Sequence, residues 1–255
     1  MNRSTFMIGT NGYHKFILNL LSSIDSELFK SSQHEIIVLT DAPEDVCASE
    51  VYLEFREKIK VVEISSLGWP DATLLRFKLM LEHWEHANGQ FVGYLDADCL
   101  VRVSETFLSG PIDAHESLLY FVAHPGYFQS PLWKRLAMAS PYRGVYESRK
   151  LSKAFVPVRR RFGTYVCGGH WFGGRAAIRR MLEELDRCVD QDLEQNVVAR
   201  FHDESHVNRF LAECGHKILS PEWAYSSSNR RFRTQTPIVE VIDKDEKWFK
   251  MREAN

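Results

Sequence analysis

The first half of the chain alternates short apolar runs with segments of helical periodicity, and this alternation limits the fold more than any other feature. The apolar runs predict buried strands. They are Thr5–Thr10, Glu35–Thr40, Val61–Ile64, Phe91–Leu95 and Leu119–Ala123. Phe16–Ile24 and Leu74–Trp84 have the apolar spacing of helices, and the second follows the start signal Pro70-Asp71. Alternation of this kind predicts an α/β fold with a mostly parallel sheet, in which binding sites lie beyond the carboxyl ends of strands.

The second half has a different pattern. Residues 125–166 contain four prolines and the arginine run Arg159–Arg161, which predicts irregular structure. The GGHWFGG segment, Gly168–Gly174, predicts a turn that leads into an amphipathic helix. A further helix is predicted after Asp203, and Ser226–Arg233 predicts a mobile loop.

Composition excludes several classes of protein. A chain of 255 residues can form one large α/β domain or two tightly packed ones. A net charge of −2 gives no general reason to expect binding to nucleic acid or to a membrane surface. The five cysteines contain no CxxC pair and are expected to be free thiols. No segment has the pattern of a signal peptide or a membrane helix, so the sequence predicts a cytoplasmic protein without a membrane span.

Two aspartates, Asp96 and Asp98, follow the apolar run Phe91–Leu95. In an extended chain, positions i and i+2 point to the same side, so both carboxylates can face one cation. Hard oxygen donors suit Mg²⁺ or Mn²⁺, which complete their coordination with phosphate oxygens and water. Two aspartates at this place are also common in turns and helix caps. The same pattern occurs in haloacid dehalogenase-like phosphatases, but there it follows the first strand, and here it follows the fourth.

A second cluster of polar residues occurs at His202–His206, which reads HDESH. Acidic residues in the first turn of a helix are stabilised by the helix dipole, and this explains one acid. It does not explain two acids and two histidines within five residues. The cluster therefore indicates a functional site.

The HDESHVNRF segment, followed by KILSPEW, is very similar to the hallmark segment of glycosyltransferase family 6, the family of the blood-group A/B and α-1,3-galactosyltransferases. Other segments resemble the family in the same order along the chain, which makes the resemblance more specific than the two aspartates alone. They are IGTNGY (Ile8–Tyr13), VLTD (Val38–Asp41), GWPDATLLRF (Gly68–Phe77), HPGYF (His124–Phe128), Tyr146-Glu147 and GGHWFGG.

The resemblance implies a GT-A-type glycosyltransferase fold, a Rossmann-like mixed sheet flanked by helices. It implies one catalytic domain over residues 1–255, with a nucleotide-binding half at 1–123 and an acceptor and catalytic half at 124–255. The implied reaction moves galactose or N-acetylgalactosamine from UDP-galactose or UDP-N-acetylgalactosamine to a galactoside-containing glycan, such as a fucosylated, blood-group-like one. The new bond is α-1,3, and the anomeric configuration is retained.

The resemblance also implies a role for individual residues. Ile8 and Tyr13 would contact uracil and ribose, Thr73 and Arg76 the donor, and Asp96 and Asp98 the metal on the diphosphate. Gly168, Gly169 and His170 would shape the donor-sugar pocket, and Asp203 would contact the donor sugar. His124 and Phe201 would contact the acceptor. Glu204 would lie under the anomeric carbon and also help to place the acceptor, as a covalent nucleophile or as an electrostatic stabiliser.

This sequence differs from the family pattern at several positions. Val166 and Cys167 replace a pair of tyrosines, His170 occupies a position that is usually small, and Phe201 replaces tryptophan. The sugar specificity and the acceptor therefore stay open. Both aspartates are kept, whereas many bacterial relatives have asparagines, so we expect dependence on Mn²⁺ or Mg²⁺.

Two other functions fit the same residues. One is a metal-dependent sugar-nucleotide hydrolase or phosphotransferase, and the other is a glycan-binding protein with a degenerate catalytic site. The sequence leaves the oligomeric state open. It predicts that Trp69, Trp84 and Trp133 are packing residues. It leaves two readings for the basic segments near Arg159–Arg161 and Arg230–Arg233: solvated charge, or contact with UDP, an anionic acceptor or a lipid headgroup. Lys250 and Arg252 are candidates for contact with the diphosphate.

Overall fold

The computed structural model describes residues 2–111, 115–142, 144–226, 229, 231–232 and 235–242. Nine strands occur in these residues. They are β1 (Arg3–Gly9), β2 (His34–Thr40), β3 (Ile59–Glu63), β4 (Phe91–Leu95), β5 (Cys99–Val101), β6 (Leu119–Ala123), β7 (Val166–Gly174), β8 (Lys217–Leu219) and β9 (Val239–Val241).

Ten α-helices accompany the strands in the described residues. They are α1 (His14–Ser22), α2 (Ser26–Ser31), α3 (Pro43–Cys47), α4 (Glu50–Phe55), α5 (Asp71–Leu74), α6 (Arg76–Glu82), α7 (Ser104–Ser109), α8 (Leu132–Ala139), α9 (Arg175–Glu194) and α10 (His202–Leu211). Short 3₁₀ turns occur at Trp84–His86, Val158–Arg160 and Pro221–Trp223. None of the helices in the described residues has both the length and the apolar composition needed to span a bilayer.

The main sheet has seven strands in the order β3-β2-β1-β4-β7-β6-β8. The pairs within β3-β2-β1-β4 are parallel, and so is β6 with β8, whereas β7 is antiparallel to both of its neighbours. A separate two-stranded sheet pairs β5 with β9. The fold is therefore α/β with a mixed, mostly parallel sheet, as the sequence predicts.

The strands and helices predicted from the first half are present, with ends that differ by a few residues. Phe91–Leu95 and Leu119–Ala123 match β4 and β6 at both ends. The helix predicted at Leu74–Trp84 is divided at Leu75 into α5 and α6, followed by a 3₁₀ turn. The start signal is correct, because α5 begins at Asp71, directly after Pro70.

The prediction of a turn at Gly168–Gly174 is wrong, because these residues belong to the strand β7 in the middle of the sheet. Trp171 and Phe172 pack on opposite faces of that sheet, as neighbours in a strand do. Trp171 stacks on Tyr94 at 5.5 Å between ring centroids, and Phe172 stacks on Tyr120 at 5.1 Å. Glycine suggests a turn in the sequence, but in this strand it permits close contact with neighbouring segments.

Residues 125–166 are also more regular than expected, since they contain the helix α8. The predicted loop Ser226–Arg233 falls partly outside the described residues, as do Lys250 and Arg252. All five cysteines are free thiols. The strand β7, from the second half of the chain, lies between β4 and β6 of the first half, so the two predicted halves share one sheet.

Two apolar layers cover the faces of the sheet. One face packs against α6, α9 and α10, whose buried residues include Phe77, Ile178 and Val207. The other packs against α1 and α2, whose buried residues include Ile17 and Phe29. These layers fix the carboxyl ends of β1 and β4 side by side, because the two strands are paired.

Candidate active site

A cleft of about 240 Å³ opens beyond the carboxyl ends of β1 and β4, where a doubly wound sheet places its ligands. Six residues predicted from the sequence line it: Ile8, Tyr13, Thr73, Arg76, Asp96 and Asp98. Seven further residues complete the lining: Thr10, Asn11, Leu67, Trp69, Ala72, Tyr94 and Ala97. The structure thus brings together segments from three separate parts of the sequence.

The loop after β1 forms one wall of the cleft. Asn11 and Gly12 both have positive φ angles, 54° and 85°, which bend the chain sharply after the strand. The backbone N–H of Asn11 donates to Oδ2 of Asp41 at 2.8 Å, and the Thr10 hydroxyl donates to the carbonyl of Leu67 at 2.9 Å. These bonds hold the IGTNGY loop against the VLTD segment and the chain before α5.

Asp96 lies directly after β4, and its backbone N–H donates to the carbonyl of Gly169 at 2.8 Å. Its Oδ1 accepts from the hydroxyl of Tyr94 at 2.8 Å and lies 3.2 Å from Nη1 of Arg76. Its Oδ2 faces Gly169, with no hydrogen bond to the described residues. Asp98 is buried at the same edge of the cleft.

The two aspartates fit a divalent cation. The donor set is a pair of carboxylates with hard oxygens, and Oδ2 of Asp96 accepts no hydrogen bond from the described residues. A pair is enough for Mg²⁺ or Mn²⁺ that also binds phosphate and water. A different group of candidate ligands in the described residues, His83, Glu85 and His86, does not line the cleft.

Arg76 links the carboxylates of the site. Its Nη1 lies 3.2 Å from Oδ1 of Asp96, 3.2 Å from Oδ2 of Asp203 and 3.2 Å from the carbonyl oxygen of Gly168. The guanidinium also lies over the Tyr94 ring, 4.4 Å from its centroid. Burial alone would lower the pKa of Arg76, but the neighbouring carboxylates raise it above its usual value, so the group stays cationic.

Asp203 and Glu204 lie in the first turn of α10 and face the same site. Burial raises the pKa of Asp203 to about 6, against the opposing effect of Arg76. Glu204 is partly buried, and burial raises the pKa of its carboxyl to about 7. Two donors oppose that rise: the Tyr165 hydroxyl donates to Oε1 at 2.8 Å, and the Gly168 N–H donates to Oε2 at 3.0 Å. Glu204 is therefore held in one orientation with a pKa near neutrality.

Gly168 and Gly169 permit these acids to approach β7. A Cβ atom on Gly168 would lie 2.7 Å from Oδ2 of Asp203 and 3.1 Å from Cβ of Glu204. A Cβ atom on Gly169 would lie 2.8 Å from Cγ of Asp96. All three distances are shorter than ordinary van der Waals contact, so larger residues would displace the carboxylates.

His170 lies next to these glycines but does not line the cleft. Its ring is buried, with Nδ1 2.8 Å from the carbonyl oxygen of Trp223. Burial lowers the pKa of His170 to about 4, so the ring is neutral near pH 7. The bulk of this side chain therefore packs against Trp223 and Phe172.

The residues predicted for the acceptor lie on the Glu204 side of the site. The His124 N–H donates to the carbonyl of Tyr165 at 2.9 Å, and the His124 ring lies 4.7 Å from that of Tyr127. Tyr127 in turn packs edge-on against Tyr165. Phe201, which precedes α10, is 42% exposed, and its N–H donates to the Ser205 hydroxyl at 2.9 Å.

Glu147 anchors the chain segment that leads into α10. Its Oε2 accepts from the backbone N–H of Arg200 at 2.8 Å, and its Oε1 accepts from the N–H groups of Ser148 and Arg149. Burial would raise the pKa of Glu147, but these bonds and the Arg149 side chain lower it to about 2. The ionised carboxylate thus ties the Tyr146-Glu147 segment to the chain that leads into α10.

Sequence reasoning missed two residues of the site. Tyr165 has no motif around it, and only the structure places its hydroxyl on Glu204. Trp69 is 68% exposed, lines the cleft and packs edge-on against His202 at 4.9 Å. The prediction that Trp69 and Trp133 are packing residues is wrong, because both are largely exposed; for Trp84, which is buried, it is confirmed.

The chain is similar to proteins of a known family. The sequence model of glycosyltransferase family 6 matches residues 4–249. Histo-blood group ABO system transferase 1 of Rattus norvegicus is 27% identical over 198 residues, which are 75% of this chain and 52% of that protein. Histo-blood group ABO system transferase 2 of the same species is 27% identical over 202 residues, 75% of this chain and 54% of that protein. This chain therefore spans about half the length of the two rat relatives.

A bacterial relative matches over almost its full length. The O-antigen biosynthesis glycosyltransferase WbnI of Escherichia coli is 25% identical over 246 residues, 96% of each chain. The family match covers β1 to β9 and includes every residue of the site described above.

Proposed function

Because the chain belongs to glycosyltransferase family 6, we propose that it transfers galactose or N-acetylgalactosamine from the UDP-sugar to a galactoside in α-1,3 linkage, with retention of configuration. The observation that carries this proposal is the position of Glu204. Its carboxylate is fixed by Tyr165 and Gly168 beside the cleft that Asp96 and Arg76 line. Binding groups for a charged donor and an oriented carboxylate thus share one site.

The donor nucleotide would occupy the cleft. Ile8 of β1 and Tyr13, just before α1, line it together with Thr73 and Arg76. These residues combine apolar surface for a base with polar groups for a ribose and a phosphate. The leaving group is a diphosphate, so its negative charge needs compensation as the glycosidic bond to UDP breaks.

Asp96 and Asp98 would hold Mn²⁺ or Mg²⁺ on that diphosphate. The bound ion would supply Lewis-acid stabilisation of the leaving UDP. The chain's own contribution is to hold the ligands. Tyr94 and Arg76 engage Oδ1 of Asp96 and leave Oδ2 for the ion, and Arg76 balances the charge of Asp203.

Glu204 would act on the face of the sugar where the new bond forms. A pKa near 7 means that a substantial fraction of the carboxyl is ionised at neutral pH. The ionised carboxylate can attack the anomeric carbon or stabilise the positive charge that develops there. Asp203, which is fixed by Arg76, would contact the donor sugar. Gly168 and Gly169 would leave space for that sugar. The buried His170, in the same strand, is held by its contact with the carbonyl oxygen of Trp223.

His124 and Phe201 would contact the acceptor. His124 contacts Tyr127 and Tyr165, and Tyr165 donates to Glu204, so the acceptor side and the catalytic carboxylate share one aromatic cluster. The exposed Phe201 ring offers an apolar surface to a sugar face. Its exposure fits an acceptor that enters from solvent.

A panel of UDP-sugars, each with and without galactoside acceptors, tests this function. Product should form from UDP-galactose or UDP-N-acetylgalactosamine in the presence of an acceptor, and its α-1,3 linkage can be read by NMR. Glu204→Gln should abolish transfer while UDP still binds. Glu183→Gln, an exposed glutamate on α9 that pairs with Arg179, is the control and should keep full activity.

Other results of this experiment would indicate a different function. Rapid release of UDP without an acceptor would favour a sugar-nucleotide hydrolase, and tight glycan binding without turnover would favour a binding protein. Inversion at the anomeric carbon would reject the assigned role of Glu204.

A further inference from the structure

One segment of the chain carries a large net positive charge. Of its 32 lysines and arginines, nine lie in residues 125–166, whereas only one of its 34 acidic residues, Glu147, lies there. Glu147 is buried and already bonded to Arg149 and Arg200. The net charge of the whole chain is only −2, because acidic residues outnumber basic residues outside this segment.

The same segment exposes an unusual amount of apolar surface. Seven of the thirteen large apolar side chains that are exposed in the described residues belong to it. Three of them share the helix α8: Leu132, Trp133 and Leu136 are 67%, 71% and 54% exposed. The opposite side of this helix is anchored, because Met138 packs with Tyr146 and Tyr165. The exposed side chains thus stand on a fixed helix.

The exposed Arg135 lies beside these apolar side chains on α8, and the buried Arg161 ties the helix to the segment that follows it. Arg135 of α8 donates from Nη2 to the carbonyl of Phe162 at 2.7 Å, and Arg161 donates from Nη1 to the carbonyl of Ala139 at 3.2 Å. These bonds join α8 to the turn Val158–Arg160, on which Val158 and Arg159 are exposed. We call Leu132, Trp133, Arg135, Leu136, Val158, Arg159 and Phe162 the α8 surface.

We propose that the α8 surface binds the headgroup region of an anionic lipid bilayer. Trp and Leu side chains that stand out between Arg and Lys residues are the composition of helices that lie in a membrane interface. Their apolar parts enter the boundary between headgroups and acyl chains, while the guanidinium groups meet lipid phosphates. An acidic protein surface would satisfy the arginines but would leave Trp133 without an apolar partner, so the bilayer is the favoured occupant.

The α8 surface lies close to the residues proposed to bind the acceptor. Lys134 of α8 donates to the carbonyl of Gly126 at 2.5 Å, within the HPGYF segment, and Met138 packs in the cluster that contains Tyr165. Docking through α8 would therefore bring His124 and Glu204 close to the membrane surface. An acceptor glycan carried by a lipid would then be within reach. This consequence rests on the proposed function, but the binding itself does not.

Co-sedimentation with lipid vesicles tests the proposal without any activity assay. The protein should partition onto phosphatidylcholine vesicles that contain roughly one-third phosphatidylglycerol, and much less onto phosphatidylcholine alone. The double variant Trp133→Ser/Leu136→Ser should lower the partition coefficient by about tenfold or more. Arg159→Glu should lower it as well, and added salt should weaken binding of the wild type.

Matched controls come from another exposed part of the chain. Leu28→Ser/Leu53→Ser removes two exposed leucines of α2 and α4, and Arg56→Glu reverses an exposed charge there. Both should leave the partition coefficient unchanged. Equal loss in the controls, or a wild type that ignores anionic vesicles, overturns the proposal. Self-association in sedimentation velocity that the double variant abolishes, without vesicle binding, would assign the surface to a second copy of the chain and also overturn it.

A milder variant guards against misfolding of the double variant. Brominated lipids quench the fluorescence of tryptophans that enter the bilayer, so they should quench part of the wild-type emission. Trp133→Phe should lose that part. If quenching is unchanged in Trp133→Phe, this side chain does not enter the bilayer and the proposal fails.

Discussion

The hydroxyl of Tyr165 donates a 2.8 Å hydrogen bond to Oε1 of Glu204, and this bond connects the aromatic cluster on the acceptor side to the carboxylate proposed to act at the sugar. Tyr165 is itself buried between His124, Tyr127 and Tyr146. Its ring cannot move without disturbing that cluster. Together with the Gly168 N–H, it fixes both oxygens of Glu204.

We predict that Tyr165→Phe lowers kcat by about tenfold to a hundredfold, because a hydrogen bond to a charged group contributes roughly 1.5–3 kcal/mol. The KM for the donor should change little. Loss of the donor also removes an effect that lowers the pKa of Glu204, so the acidic limb of the pH–rate profile should move to higher pH. Tyr146→Phe is the control, since its hydroxyl makes only a long contact of 3.5 Å to Gly163. Equal losses in the two variants would reduce Tyr165 to a packing residue.

Asp98→Asn should remove most metal binding while the fold is kept. An amide oxygen is a weaker ligand than a carboxylate for Mn²⁺, and the ion would keep Asp96 as its only carboxylate from the pair. We expect calorimetric titration with Mn²⁺ to show a large loss of affinity, measured in the presence of UDP. Chelation of divalent ions should stop transfer by the wild type. Asp45→Asn, at a largely exposed position on α3, should bind metal normally. Full transfer activity after chelation would contradict the metal site.

The candidate site was more predictable than the strand that completes it. Asp96, Asp98 and Arg76 lie in segments that resemble the family, and the paired strands β1 and β4 bring the first-half segments together. GGHWFGG predicts a turn from the sequence, because glycine is rare inside strands. Glycine is required at Gly169 because Asp96, about seventy residues earlier in the chain, packs against it. The residues next to Gly169 in the sequence do not indicate this contact.

Tyr165 and Trp69 were missed for a related physical reason. Burial, hydrogen bonding and exposure of an aromatic residue depend on which segments surround it, not on its neighbours in the sequence. Tyr165 becomes important only because α10 brings Glu204 to within 2.8 Å of it. The helix α8 and its exposed apolar side chains are not predicted from the sequence either, since the prolines around this segment indicate irregular structure.

Gly169→Ala should damage the donor site more than its small size suggests. The new Cβ would lie 2.8 Å from Cγ of Asp96, well inside van der Waals contact, so the carboxylate or β7 must move. We expect weaker binding of Mn²⁺ with UDP and a lower kcat/KM. Gly163→Ala is a matched control, because no atom lies within 4 Å of its added methyl group. Near-normal donor binding in Gly169→Ala would show that β7 can adjust without cost.

Glu204→Gln should stabilise the protein although it removes activity. Burial raises the pKa of Glu204 to about 7, above that of an unfolded chain, so the ionised carboxylate costs stability in the folded state. That cost is absent at pH values below the unfolded pKa of roughly 4.3 and complete above about pH 7. The uncharged amide of Gln avoids it. The free energy of unfolding of the variant, minus that of the wild type, should therefore be on the order of 1–3 kcal/mol larger above neutral pH than below pH 4.3 or so.

Thermal unfolding of both proteins across this pH range measures the difference. The gain of Glu204→Gln over the wild type should grow as pH rises from about 5 to about 8. Glu183→Gln, at an exposed position on α9, should show no such growth. A gain that is independent of pH would mean that the pKa of Glu204 is the same in the folded and the unfolded chain. The carboxylate would then be fully ionised at neutral pH, and the prediction that burial raises its pKa would be wrong.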